Sequence, residues 1–166
     1  MRTLALACIS LVLSTPAFPG EIHDQFATGF GGIPWGTKLD DLIAMRPGGD
    51  QYFSTSPGRR AYILADDEPL FGVQRRGMRI QYHLGKDNEV RSVGIGVPYA
   101  MRDQLLGQLL LLYGQYQEST PNSTIVEYDW PVDGRICIGA RASRDPKNGI
   151  LEFWVGVVAL PTDSRR

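Results

Sequence analysis

Apolar and polar positions alternate with several different periods along this chain. Leu4 to Leu13 is apolar almost throughout, with Arg2 before it and Ser14-Thr15-Pro16-Ala17 after it. A charged start, an apolar run and a small-residue exit are the three parts a signal peptidase reads. The run is about half the roughly 20 residues of a membrane-spanning helix. The pattern predicts a signal peptide over 1–17, cut after Ala17, and no transmembrane segment after cleavage.

From Phe18 to Ile33 no period is sustained, and the stretch reads as an extended lead-in. Helical spacing begins at Leu39, Leu42 and Ile43, with Thr37 as N-cap, Asp40 and Asp41 in the first turn, and Pro47-Gly48-Gly49 as the stop. Strand-like runs follow at Arg60 to Ala65, at Val73 to Leu84 with a break near Gly77, and at Val90 to Val97. A second helix is expected from Pro98 near N1 to Gly114. Its leucines at 105, 106, 109, 110 and 112 give a wide apolar face that predicts extensive burial. Three more runs, Thr124 to Trp130, Arg135 to Arg141 and Ile150 to Leu160, are separated by turn-rich connectors.

These elements predict a single α+β domain over 34–160 and a polar tail over 161–166. Each half reads as a helix and then three strands, and Arg79-Ile80-Gln81-Tyr82 aligns with Arg135-Ile136-Cys137-Ile138. The expected architecture is a duplicated αβββ unit, forming a curved antiparallel sheet with two helices on one face. Any α+β domain of this size could also produce such an echo. Ile80, Tyr82, Leu84, Val93, Ile95, Ile136, Ile138 and Phe153 are the expected core.

A length of 166 residues suffices for one domain with a core. Lys and Arg total 17 against 18 Asp and Glu, so long-range charge favours neither nucleic acid nor an anionic membrane. Cleavage would remove Cys8 and leave Cys137 alone, with no intramolecular disulfide. Cys137 lies between Arg135 and Arg141, which would lower its thiol pKa if it were exposed. If buried, it is a small apolar filler.

The residues carry little that reads as catalysis. His23 and His83 are far apart in sequence, and no Ser or Cys sits in a nucleophile turn, so neither a hydrolytic triad nor a zinc centre is indicated. Glu127 and Asp129, two apart on a strand near Trp130, would share one side, with Glu152 able to approach across the sheet. Paired acids of this kind can cleave glycosides, although a solvated sheet face is the commoner outcome. Asp66-Asp67-Glu68 lacks the spacing of a calcium loop and reads as a polar turn. Gly29, Gly31 and Gly32 do not open a dinucleotide-binding unit. Asn122-Ser123-Thr124 fits the N-glycosylation pattern, which matters only in a eukaryotic source. No cofactor, catalytic residue or metal ligand is predicted, and the balance is against an enzyme.

On the last strand Leu151, Phe153, Val155 and Val157 would take one face. Ile150, Glu152, Trp154, Gly156 and Val158 would take the other, too apolar for plain solvent. With Gly139 and Cys137 outward as well, the helix-free side of the sheet should present a low floor with Trp154 projecting from it. Trp154, Val158, Gly156, Gly139 and Cys137 are the candidate partner-binding residues. Alternatively, the lead-in folds back and covers them.

Gly32-Ile33-Pro34-Trp35-Gly36-Thr37-Lys38-Leu39-Asp40-Asp41-Leu42 resembles the opening of small exported bacterial proteins in which a Trp-Gly-Thr or Trp-Gly-Ser turn leads into a short acidic helix. The resemblance implies a place in the bacterial envelope and no reaction. In layout alone, the two-unit arrangement is similar to that of beta-lactamase inhibitory proteins. The expectation is therefore an exported, non-enzymatic binding protein, periplasmic or else secreted, that recognises another protein as an inhibitor or immunity factor does. A small-ligand or lipid carrier with its pocket between helix and sheet is the alternative. A hydrolase using Glu127 and Asp129 comes third.

Overall fold

Alternation of Ile80, Tyr82 and Leu84 with Arg79, Gln81 and His83 places every second residue of this strand against the core. The same alternation recurs across the sheet. A computed structural model describes residues 21–53, 60–143 and 149–158. The expected signal peptide, residues 18–20 of the lead-in and the polar tail lie outside the described residues.

The chain order is α1 (Glu21–Phe26), β1 (Gly29–Phe30), β2 (Ile33–Pro34), α2 (Leu39–Met45), β3 (Asp50–Phe53), β4 (Arg60–Ala65), β5 (Arg79–Leu84) and β6 (Val90–Pro98). It continues with α3 (Arg102–Tyr113), β7 (Gln117–Asn122), β8 (Ile125–Asp129), β9 (Ile136–Ser143) and β10 (Ile150–Val157). β1 and β2 form a small hairpin. The other strands make one antiparallel sheet in the order β3-β4-β5-β6-β10-β9-β8-β7. The fold is α+β.

α2 and α3 are each followed by four strands, one more than expected, and the two sets meet at the β6–β10 pair. The additional strands, β3 and β7, are the sheet edges. Every residue in them is exposed, so neither carries the apolar alternation that marks a half-buried strand. All eight residues of the expected core are buried. Each large apolar side chain removed from water contributes roughly 1.5–3 kcal/mol before packing terms.

Four local expectations are corrected. Thr37 does not cap α2; its hydroxyl donates to Pro34 O at 2.7 Å. Residues 36–39 bond to β6 and the turn before it, through Gly36 N to Val90 O at 2.9 Å and Leu39 N to Asn88 O at 3.0 Å, so helical geometry begins only after Lys38. The run from Val73 is a strand only from Arg79. Residues 66–78 form a loop whose Leu70 and Val73 are buried. Arg75, only 3% exposed, holds that loop by donating to Gly96 O, Glu68 O and Arg79 O, beside Asp66 at 3.6 Å.

α3 ends at Gly114 as expected (φ +74°), but it is not largely buried. Leu105, Leu106, Leu109 and Tyr113 face the sheet, whereas Leu111 is 82% exposed, flanked by exposed Leu110 and Leu112. A helix lying on a sheet has one side turned away from it, and three consecutive leucines must reach that side.

The lead-in is not simply extended. Ile22 and Phe26, one turn apart in α1, enter the core, where Phe26 packs on Phe30 and Tyr113. The Trp35 indole donates to Phe26 O at 2.7 Å and ties the Trp-Gly-Thr turn to that helix. No helix among the described residues is long and apolar enough to cross a membrane.

Candidate functional site

The face away from the helices is organised by strand register. One row runs Ile63, Gln81, Gly94, Trp154, Gly139, Asp129 from β4 to β8. The row beside it carries Glu152, Arg141 and Glu127 on β10, β9 and β8. On the other side lie His83, Ser92, Gly156 and Cys137. Residues two apart on a strand share a face, so all of these side chains emerge on the same surface.

The glycines in these rows make room for side chains that lie down. A Cβ at Gly139 would stand 2.6 Å from the Trp154 ring. The indole therefore rests on the backbone of its cross-strand neighbour and is half-buried, not projecting as expected. A Cβ at Gly94 would collide with the Glu152 carboxylate and stand 3.1 Å from His83 Nε2. At Gly156 it would stand 2.7 Å from Ser92 Cβ. The expected low floor exists in the backbone, and its neighbours fill it.

Above this floor is a concavity of about 380 Å³, lined in part by His83, Ser92, Glu127, Arg141, Glu152 and Trp154. Arg141 donates through both Nε and Nη2 to Glu152 Oε2 at 2.7 Å. Glu127 stands opposite Arg141 from the other strand, so the row alternates acid, base, acid. Arg60, at the rim, is held by Asn88 Oδ1 at 2.6 Å and lies over the Phe53 ring. A half-buried aromatic beside fixed charges of both signs suits recognition of a polar, shaped surface.

Glu127 and Asp129 do share this face, but they belong to different rows. Arg141 is opposite the first and Gly139 opposite the second. Burial pushes the Asp129 carboxyl above its ordinary pKa. Glycoside cleavage needs two carboxyls facing one another across a substrate. Here both are side by side on one strand.

Cys137 is half-buried, and its Sγ donates to Gly156 O at 3.3 Å. Burial raises its thiol pKa, so the lowering expected of an exposed site between two arginines does not occur. Val158, 39% exposed, follows β10, and its N–H donates to Arg135 O at 2.8 Å. α1 packs on the opposite side, with the core, and does not cover Trp154. Asp66 and Asp67 act within their own loop, accepting from Glu68 N and Gly77 N.

The contributions of Arg141, Ser92 and His83 to the site were not anticipated. The parity of 137, 139 and 141 on one strand with 152, 154 and 156 on the next was the signal that could have found Arg141. Comparison with protein-family models, curated proteins and solved structures finds no match to this chain.

Proposed function

We propose that this chain is an exported binding protein, acting in the bacterial envelope, that recognises another protein through the helix-free face of its sheet. One observation carries the reading: Trp154 lies flat on Gly139 beside the Glu127–Arg141–Glu152 row, on the face opposite α1, α2 and α3. An aromatic already seated in the free protein loses little side-chain freedom on binding, and neighbouring charges select the partner. Val158 and Ile150, both exposed at the ends of the same strand face, extend the surface.

The centre of the interior between helices and sheet is packed by aromatic contacts, Phe71 standing edge-on to both Tyr113 and Phe153, and the clefts on that side, one of about 280 Å³ between α3 and β8 among them, lie at its margins. This packing favours the open face over a carrier pocket beneath the helices.

The test is co-purification from envelope extract with protein lacking residues 1–17, in parallel with Trp154→Ala and Arg141→Glu. A stoichiometric partner held by the parent and lost from both variants is the expected result. A partner retained by both variants places binding elsewhere. Intact mass of the envelope-recovered protein tests export, because cleavage after Ala17 gives a chain beginning at Phe18.

A further inference from the structure

We propose a second site, separate from the open sheet face, that binds a small organic carboxylate with an aromatic or aliphatic body. It is a cleft of about 240 Å³ on the helix side of the fold, between α1, the Trp35-Gly36 turn and the ends of β9 and β10. Its wall is apolar: Trp35, Ile136 and Val157 all line it. The Trp35 indole is held in place by its bond to Phe26 O, so the wall is formed before any ligand arrives.

Two arginines, Arg91 and Arg135, also line the cleft, and no acidic side chain is among the lining residues. Arg91 gives one Nη to Glu89 Oε2 at 2.7 Å, which leaves most of the five guanidinium donors for another acceptor. The Arg135 side chain makes no ion pair with the described residues. His23 also lines the cleft; its Nδ1 is buried against Gly134, where a Cβ would stand 2.7 Å from it, and its backbone N–H donates to Asp133 Oδ2 at 2.9 Å. Apolar walls with guanidinium groups in the same lining suit a carboxylate on an apolar body, because a guanidinium fork matches the two oxygens. A neutral ligand would use the walls and leave both arginines unanswered.

The discriminating pair is phenylacetate and 2-phenylethanol, similar in shape and different in charge, titrated into protein labelled at the tryptophan indole nitrogens. The Trp35 indole resonance, assigned with Trp35→Phe, is expected to shift saturably with phenylacetate while that of Trp154 stays still. 2-Phenylethanol should bind at least about tenfold more weakly. Arg135→Ala and Arg91→Ala should each weaken phenylacetate by about tenfold, with partial recovery in Arg135→Lys. Both arginines are exposed, so these variants keep the fold, which the unchanged remainder of the spectrum will verify. Equal affinity for the two probes, full affinity in the double alanine variant, shifts centred on Trp154, or no saturable shift with phenylacetate would each overturn the assignment. Trp154→Ala should leave this binding unchanged, which separates it from partner recognition on the other face.

Discussion

Trp154 and Gly139 are directly paired across β10 and β9, and the indole of one occupies the space where the other would carry a Cβ. The position of the aromatic is therefore set by a missing atom on the neighbouring strand. Gly139→Ala should lift the ring into solvent at a cost of about 1–3 kcal/mol, the usual range for overpacking. Red-shifted tryptophan emission and a lower urea midpoint would report it, and partner binding should fall with them. Unchanged emission would mean that the ring is placed by something other than Gly139.

Arg141 and Glu152 make an ion pair at 2.7 Å with Arg141 about half exposed. Pairs of this exposure contribute little to folding, of the order of 1 kcal/mol or less. Arg141→Ala is thus expected to leave thermal stability almost unchanged while weakening the partner complex. A large fall in melting temperature would assign the arginine to the fold.

Arg75 belongs to the other class of charge. Its guanidinium is buried and serves three backbone carbonyls besides Asp66, so Arg75→Met takes a donor from each carbonyl and leaves Asp66 with only the Glu68 amide and the more distant Arg46. The expected loss is about 3 kcal/mol by chemical denaturation. Arg75→Lys should recover only part of it, because one ammonium cannot reach the directions a fork covers.

Asp129 has a carboxyl pKa raised by burial, so the native state holds its proton to higher pH than the unfolded chain does. The sign follows from linkage: the associated stability is fully present below the unfolded value of about 3.9 and is lost as pH rises through the folded value. Asp129→Asn should therefore be more stable than the parent at neutral pH, and the difference should vanish in acid. A difference in melting temperature that is constant across pH would remove burial of the charge as its origin.

Cys137 combines partial burial with a raised thiol pKa. Iodoacetamide at mildly alkaline pH should label it at least about tenfold more slowly in native protein than in denaturant. Equal rates would show that the thiol is open and reactive.

Much of the fold was legible where one face of an element is buried. β4, β5, β6, β8, β9 and β10 each carry alternating or near-continuous apolar residues, and each was anticipated to within a few residues apart from the start of the β5 run, expected at Val73 and found at Arg79. β3 and β7 were not, because Asp50–Phe53 and Gln117–Asn122 lie wholly in solvent at the sheet edges and pairing leaves no mark on their side chains. α1 was missed for a different reason: Ile22 and Phe26 give one helical interval, too little to establish a period. At the open face, parity placed Trp154, Glu152 and Gly139 together. Parity fixes the face of a side chain and not its rotamer, so it could not tell that Trp154 lies down. The cleft at Trp35 was invisible, since His23, Arg91 and Arg135 are scattered in sequence and meet only when α1 docks.

β10 is the last strand of the described chain, yet it sits at the centre of the sheet, paired to β6 on one side and β9 on the other. The two sets of strands bond to one another only through it. Until β10 is made, the strands already synthesised form two half-sheets with open inner borders. Those borders are joined only once residues 150–157 are present to pair with β6 on one side and β9 on the other.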